Sequence, residues 1–345
     1  MLLSSFISSM ALGSDYKLTI DGRFDFIRAQ NYATGSEKTE NVAFQTISPR
    51  VMIDYKVSDK TSFVARYNFT QGSGPTSSTF SSNNDLITSN VEYFYVSHQM
   101  AKNLEFKIGK IFFNSGSAEF DYDEQDIYLY SNVSGDLAVA YHSGAHLGYL
   151  IGNHEIAVQV GNSTGNTSSQ EGGDLVKTLA FYGSFMDGKI RPILTTGWYP
   201  REPSANSLGT SETERTVDTY SSLGLIYNAN NLNAEIEYTV SNKEEYKSYD
   251  SSDSLLTTPE TSWQSIIGKV KYTHGSYSPF VKIQSEKYLV DGNDSITSTT
   301  PILGVEYNAD EVRYHLVYSN RQNDLTNSNT SGTEVLNVGV RVKIE

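Results

Sequence analysis

Three observations predict the fold class. Apolar and polar residues alternate with a period of two, the alternation recurs in sixteen separate runs, and the connections between runs fall into two alternating length classes. Together they predict an all-β chain, a transmembrane antiparallel up-and-down β-barrel of sixteen strands, with short turns at one end and long loops at the other. Successive side chains on a strand point to opposite faces, so a strand with two different environments keeps this rhythm over its whole length.

The first run is the clearest. From Tyr16 onward Leu18, Ile20, Gly22, Phe24 and Phe26 are apolar or small, while Lys17, Thr19, Asp21, Arg23 and Asp25 between them are polar. Further runs are Ile47/Val51/Ile53/Tyr55/Val57, Phe63/Ala65/Tyr67/Phe69, Val91/Tyr93/Tyr95 and Leu104/Phe106/Ile108. Leu137, Val139, Tyr141, Ala145, Leu147, Tyr149 and Ile151 keep one parity across Ser143-Gly144, so this stretch reads as one strand, because a turn rarely preserves parity. Later runs include Leu179/Phe181/Phe185, Ile190/Leu194/Trp198, Leu223/Leu225/Tyr227, Leu232/Ile236/Tyr238, Val281/Ile283 and Val312/Tyr314/Leu316/Tyr318. The last places Leu336, Val338, Val340, Val342 and Ile344 on one face and Asn337, Gly339, Arg341, Lys343 and Glu345 on the other.

Short connections are expected at Ser58-Asp59-Lys60, Ala101-Lys102-Asn103, Gly152-Asn153-His154, Asp187-Gly188, Ala229-Asn230, Gly275-Ser276 and Ala309-Asp310. Long ones, rich in Ser, Thr, Asn and Gly, are expected at Gly72 to Asp85, Ser163 to Asp174, Pro200 to Glu214, Asn242 to Pro259 and Asn320 to Gly332. An even strand number with this asymmetry is what an outer-membrane barrel requires, the short turns being periplasmic, and Tyr and Trp at strand ends fit its interfacial girdles.

Composition agrees. Apolar residues make up 38% of the 345, charged residues 19%, with 24 Tyr and 26 Gly, which suits short strands and polar loops better than a helical core. No run approaches the roughly 18 apolar residues of a spanning helix. A soluble β-sandwich or solenoid is the competing fold. Against it, a barrel of about sixteen strands has a lumen too wide to fill with side chains, so its apolar face points to lipid. The opposite face here carries Lys17, Arg23, Asp25, Arg50, Asp54, Arg66, Glu105, Lys107, Glu235 and Glu237, which call for water. Residues 1–13, Met1 to Gly13, combine an apolar stretch with Ala-x-Gly and read as a secretory-signal remnant preceding a single barrel domain over 14–345, with a strand-capping segment as the alternative.

Several chemistries are set aside. Cysteine is absent, which removes disulfides, thiolate metal sites and thiol nucleophiles. Net charge is −14 and the 26 Lys and Arg are dispersed, so nucleic acid is not an expected partner. Asp121, Asp123 and Asp126 lack the glycine and distal glutamate of a calcium loop. His142 and His146 share a face but stand roughly 13 Å apart along a strand, too far for one metal. No Gly-x-Ser-x-Gly elbow is present. No metal, cofactor or enzymatic activity is expected, and the sequons at Asn68 and Asn132 are chance matches in Ser- and Asn-rich sequence.

Sixteen strands, eight loops and a third long loop that follows a Leu-x-Phe-x-Ile-Gly-Lys strand resemble the general porin family of Gram-negative bacteria over the whole chain. Gly109-Lys110 is similar to the family's Gly-Arg before its constriction loop, and Tyr141 stands where such porins often carry Tyr. The last residues, Lys343-Ile344-Glu345, depart from the family's usual aromatic ending. The resemblance implies that the third loop, about 114–136, folds inward with Glu119, Asp121, Asp123, Glu124 and Asp126. Arg23, Arg50, Arg66 and Lys107 on the early strands would then form the facing basic ladder. Acid opposite base sets a transverse field that orients dipolar solutes; the plainer alternative is that these are solvated lumen and loop charges.

Two function classes follow. One is a passive channel for small hydrophilic solutes and ions. The other is a structural or host-interaction barrel with an obstructed lumen, acting as an oligomer. By the same resemblance the barrel is a homo-oligomer in outer-membrane lipid, a trimer being favoured over a larger ring that encloses lipid. The aromatic outward face of the early strands, Phe24, Phe26, Phe63, Tyr67, Phe69, Tyr93, Tyr95 and Phe106, is the expected interface.

Overall fold

In a computed structural model of the chain the described residues are 16–70, 87–113, 118–136, 141–162, 175–201, 216–249, 255–325 and 330–345. The segment Met1 to Gly13, residues 137–140 of the expected sixth strand, and the expected loops Gly72 to Asp85 and Ser163 to Asp174 lie outside them, as do residues 114–117 of the expected third loop, 202–214 of the Pro200 to Glu214 loop, 250–254 of the Asn242 to Pro259 loop and 326–329 of the Asn320 to Gly332 loop.

Alternating sequence becomes antiparallel ladder. The strands are β1 (Tyr16–Ala33), β2 (Thr39–Ser58), β3 (Thr61–Thr70), β4 (Ile87–Ala101), β5 (Leu104–Phe112), β6 (Tyr141–Ile151), β7 (His154–Asn162), β8 (Leu175–Tyr182) and β9 (Ile190–Arg201). They continue with β10 (Thr216–Ala229), β11 (Leu232–Lys243), β14 (Thr261–Tyr272), β15 (Tyr277–Val290), β16 (Asn293–Ala309), β17 (Val312–Leu325) and β18 (Thr330–Ile344). These sixteen close into one barrel, each paired with its neighbours in the chain and β1 paired with β18 at the seam. The pair β12 (Tyr246–Tyr249) and β13 (Leu255–Thr258) forms a separate hairpin within the connection from β11 to β14. Closure leaves the barrel without a free edge, so every ladder position can be paired in a medium that offers no water.

Inside and outside follow parity. On β1 Phe24 is 48% exposed while its neighbours Arg23 and Asp25 are buried within the barrel. The same contrast separates Leu223 from Ser222, Ile236 from Glu237 and Leu303 from Ile302. The exposed apolar side chains form an outer belt suited to lipid.

The register shifts in several ladders, and two of these shifts correct an expectation. At Ser48, whose φ is 45°, the β1/β2 register shifts, so Ile47 is buried inside and not on the outer face with Val51, Ile53, Tyr55 and Val57. Pro49 follows and has no N–H to give to the ladder, which suits it to an irregular position. On β4 the register against β3 shifts between Tyr67/Val91 and Arg66/Tyr93. Beyond that shift Tyr93 and Tyr95 face inward, with Phe94 and Val96 exposed in their place. A bulge inserts one residue into one strand, and that single residue exchanges the faces of all that follow.

The seven short turns occur where the sequence placed them. The other end is less uniform than expected. Only residues 291–292 separate β15 from β16, and β17 and β18 run to Leu325 and from Thr330, so pairing covers much of the stretch from Asn320 to Gly332 that reads as a loop.

Candidate functional site

After β5 the chain leaves the wall and crosses the lumen as residues 118–136. It is built of two single 3-10 turns, Ala118–Asp121 and Glu124–Asp126, and one short helical turn, Asn132–Asp136. The first leg is fixed to β9–β11. Ala118 packs on Ile193 and Ile226, its N–H donates to the Glu237 carboxylate, Arg191 donates to Asp121 (2.8 Å), and the Tyr122 hydroxyl donates to Glu235 (2.7 Å).

The tip is held by four arginines, one from each of β1, β2, β17 and β18. Arg23 of β1 donates to the carbonyls of Gln125 and Ile127, both at 2.9 Å, and its guanidinium lies 5.0 Å from the centre of the Tyr128 ring. Arg50 of β2 donates to Gln125 Oε1 (2.9 Å), and Gln125 Nε2 donates to the Ser48 carbonyl that the bulge presents (2.8 Å). Arg313 of β17 and Arg341 of β18 both donate to Asp126, and Arg341 also reaches Asp21 (2.5 Å) and Asp123 (3.2 Å). Burial raises the Asp126 carboxyl, but the two guanidiniums more than offset it and hold its pKa at about 2.

The return leg runs along β15–β17. Tyr128 stacks on Phe280 with ring centres 5.5 Å apart and planes 10° apart, and its hydroxyl donates to Glu306 (3.0 Å). Lys282 donates to the Leu129 carbonyl (3.0 Å), Arg321 to the Tyr130 carbonyl (3.2 Å) and to Asn132 (2.8 Å), and Asn132 donates to Glu286. Phe280, Ile302 and Val317 form an apolar cluster on the inner wall against which Tyr128 and Leu129 pack. The inner face is therefore not wholly polar, as the alternation implied. Where Tyr128 and Leu129 lie on the wall, the inward positions Phe280, Ile302 and Val317 are apolar and give them a packing surface.

The residues expected at the constriction do not form one cluster. Arg23, Arg50, Asp123 and Asp126 meet at the loop tip, and Asp121 on the first leg meets Arg191 of β9. Glu119 is an internal strut: its buried carboxylate accepts from Ser131 and Ser134 on the other leg and from Lys282 on the wall. Two bases stay with the wall. Arg66 pairs with Glu92 (2.7 Å), donates to the Tyr141 hydroxyl (2.6 Å) and lies 3.9 Å from the centre of the Tyr93 ring; Lys107 pairs with Glu105 (3.0 Å). The Glu124 side chain lies outside the described residues. Sequence reasoning did not single out Arg313, Arg321, Arg341 or Lys282. Their inward parity was readable on β15, β17 and β18; the path of the loop toward them was not.

A closed sixteen-strand antiparallel barrel, apolar outside, charged inside and crossed by its third loop, has the fold of multi-pass outer-membrane barrels of porin type. No protein-family model and no curated protein matches the sequence. Among solved structures its neighbours are bacterial outer-membrane porins. The outer membrane channel DcaP of Acinetobacter baumannii is 10% identical with a TM-score of 0.66, covering 96% of this chain and 97% of that one. The anion-selective porin from Comamonas acidovorans is 11% identical with a TM-score of 0.62, covering 96% and 100%. OmpT folded in vitro, an outer membrane protein of Vibrio cholerae in its trimer form, is 14% identical with a TM-score of 0.61, again covering 96% and 100%. The likeness is one of fold.

Proposed function

We propose that the chain is a non-enzymatic outer-membrane porin, a passive diffusion channel for small hydrophilic solutes and ions, constricted by residues 118–136. The observation that carries this reading is the loop itself, fastened inside a charged lumen by ion pairs from the wall while Asp123, Arg191 and Lys107 still meet water. Mixed charge of both signs around a narrow aqueous path favours small polar solutes over apolar ones. Liposomes carrying the folded protein should swell in small neutral sugars, with the rate falling steeply as the sugar grows. Equal swelling with and without protein would reject the reading.

A second reading has its own support. The loop touches β9–β11 on one side and β1, β2, β17 and β18 on the other, and Asp121, Asp123 and Asp126 are each paired with a guanidinium of the wall. That arrangement suits an obstructed lumen and a barrel that acts as an oligomer, in a ring that can exceed a trimer and enclose lipid.

We also propose a homo-oligomer, a trimer first, formed through the outward face of β1–β5. Phe24, Phe26, Phe63, Tyr67, Phe69 and Phe106 remain candidates there, joined by Phe44, which is 78% exposed and packs against Phe26, and by Phe94. Tyr93 and Tyr95 are withdrawn, because both point into the lumen.

A further inference from the structure

Between the loop and the inner wall of β11 and β14–β16 lies a cavity of about 290 Å³. Its lining includes three lysines, Lys269, Lys271 and Lys282, and an apolar side made by Tyr128, Phe280 and Ile302. Lys269 and Lys282 stand directly opposite each other on β14 and β15. Like charges in that position are destabilising unless something answers them.

Two of the three are answered within the chain. Lys282 is bound to Glu119 and the Leu129 carbonyl, and Lys271 to Glu306 at 2.5 Å. Lys269 is different. Its side chain is 13% exposed, its ammonium lies 4.0 Å from the centre of the Tyr122 ring, and the charged group facing it, Glu235, is 3.8 Å away, beyond hydrogen-bond length. Glu235 already accepts from the Tyr122 hydroxyl at 2.7 Å. The remaining carboxylates at the cavity are committed as well: Glu119 to Lys282, Glu306 to Lys271 and Tyr128, and Asp126 to Arg313 and Arg341. An ammonium has three donors, and beside the Tyr122 ring and Glu235 this one borders a space with one apolar wall.

We propose that this cavity binds small amphipathic organic carboxylates, the carboxylate accepting hydrogen bonds from Lys269 and the apolar body lying against the Tyr128 and Phe280 side. A charge-assisted bond to an ammonium shielded from water supplies the orientation, and the aromatic wall supplies area. The proposal goes beyond passage, since occupancy does not require an open path.

The test uses the full chain folded in detergent micelles and titrated calorimetrically with 3-phenylpropionate, 3-phenylpropanol and 3-phenylpropylamine, with partition into empty micelles subtracted. The acid should bind saturably at one site, and the alcohol and amine should bind roughly tenfold more weakly or worse. Lys269→Met should weaken the acid by a similar factor, Lys269→Arg should retain it, and Lys287→Met on the outer face should leave it unchanged. Each variant is first checked for heat-modifiable gel mobility. The three-ligand series on the unaltered chain decides the matter if Lys269→Met does not fold. Equal affinity for acid and alcohol, preference for the amine, or full acid binding by a folded Lys269→Met would overturn the proposal. A barrel that conducts nothing yet binds the acid would leave it standing and reject only the channel.

Discussion

Asp126 carries the most consequence of any single residue in the loop, because two guanidiniums converge on one carboxylate. Its pKa, held at about 2, lies below the value of about 3.9 for a free aspartate. A depressed carboxyl contributes stability that is fully present above the unfolded value and is lost as pH falls through the folded one. The clasp on the loop tip should therefore persist from neutral pH down to about pH 4 and weaken only toward pH 2, and single-channel conductance followed over that range is the check. Asp126→Asn removes the carboxylate that Arg313 and Arg341 share, leaving Arg313 with Glu306 and Arg341 with Asp21 and Asp123. The reversal potential in a salt gradient should shift toward anions, since fixed charge beside a narrow path acts within a Debye length of about 8 Å. Asp121→Asn together with Asp123→Asn should shift it in the same direction.

At the scale of the element, β5 and its neighbours explain why a Gly precedes the loop. Gly109 has a φ of +134°, and a Cβ there would lie 2.2 Å from the Phe94 carbonyl oxygen and 2.8 Å from Tyr95 Cα. Gly109→Ala should impair assembly, whereas Gly268→Ala, with nothing within 4 Å of its added carbon, should assemble normally; heat-modifiable gel mobility reads both. The strands were legible in the sequence because each run carries its own parity, and the turns were legible because their residues are Asn, Asp and Gly. Parity fails at a bulge. Ile47, Tyr93 and Tyr95 were misplaced because one inserted residue leaves no periodic mark, Pro49 being the sole local sign. The loop acids and wall bases could be recognised as types, but Glu119 as an internal strut and Arg66 as a partner of Glu92 depend on a chain path that no local pattern encodes.

For the whole molecule, the division into an apolar outside and a charged inside governs assembly. Val338 is 43% exposed on the outer belt, so Val338→Arg places a guanidinium in lipid at a cost of about 2–4 kcal/mol near the midplane. Glu105 faces the lumen with its side chain 32% exposed, and Glu105→Arg should fold nearly as well as the unaltered chain. Comparable yields of heat-modifiable barrel from both variants would contradict the assignment of faces. Mass measurement in mild detergent, before and after Phe44→Ala with Phe94→Ala, should report a homo-oligomer that loosens when the outward rings of β2 and β4 are removed. Lipid is already apolar, so these rings act through close packing and not through hydrophobic burial.

The central claim is that solutes pass a loop tethered inside the barrel, and single-channel recording of the purified, heat-modifiable protein in a planar bilayer tests it most directly. Discrete, ohmic steps of uniform size are expected, with larger steps from Arg341→Ala, in which the loop tip loses one of its clasps to β18. A silent membrane containing demonstrably folded protein, for the unaltered chain and for Arg341→Ala alike, would contradict the channel and leave the obstructed barrel.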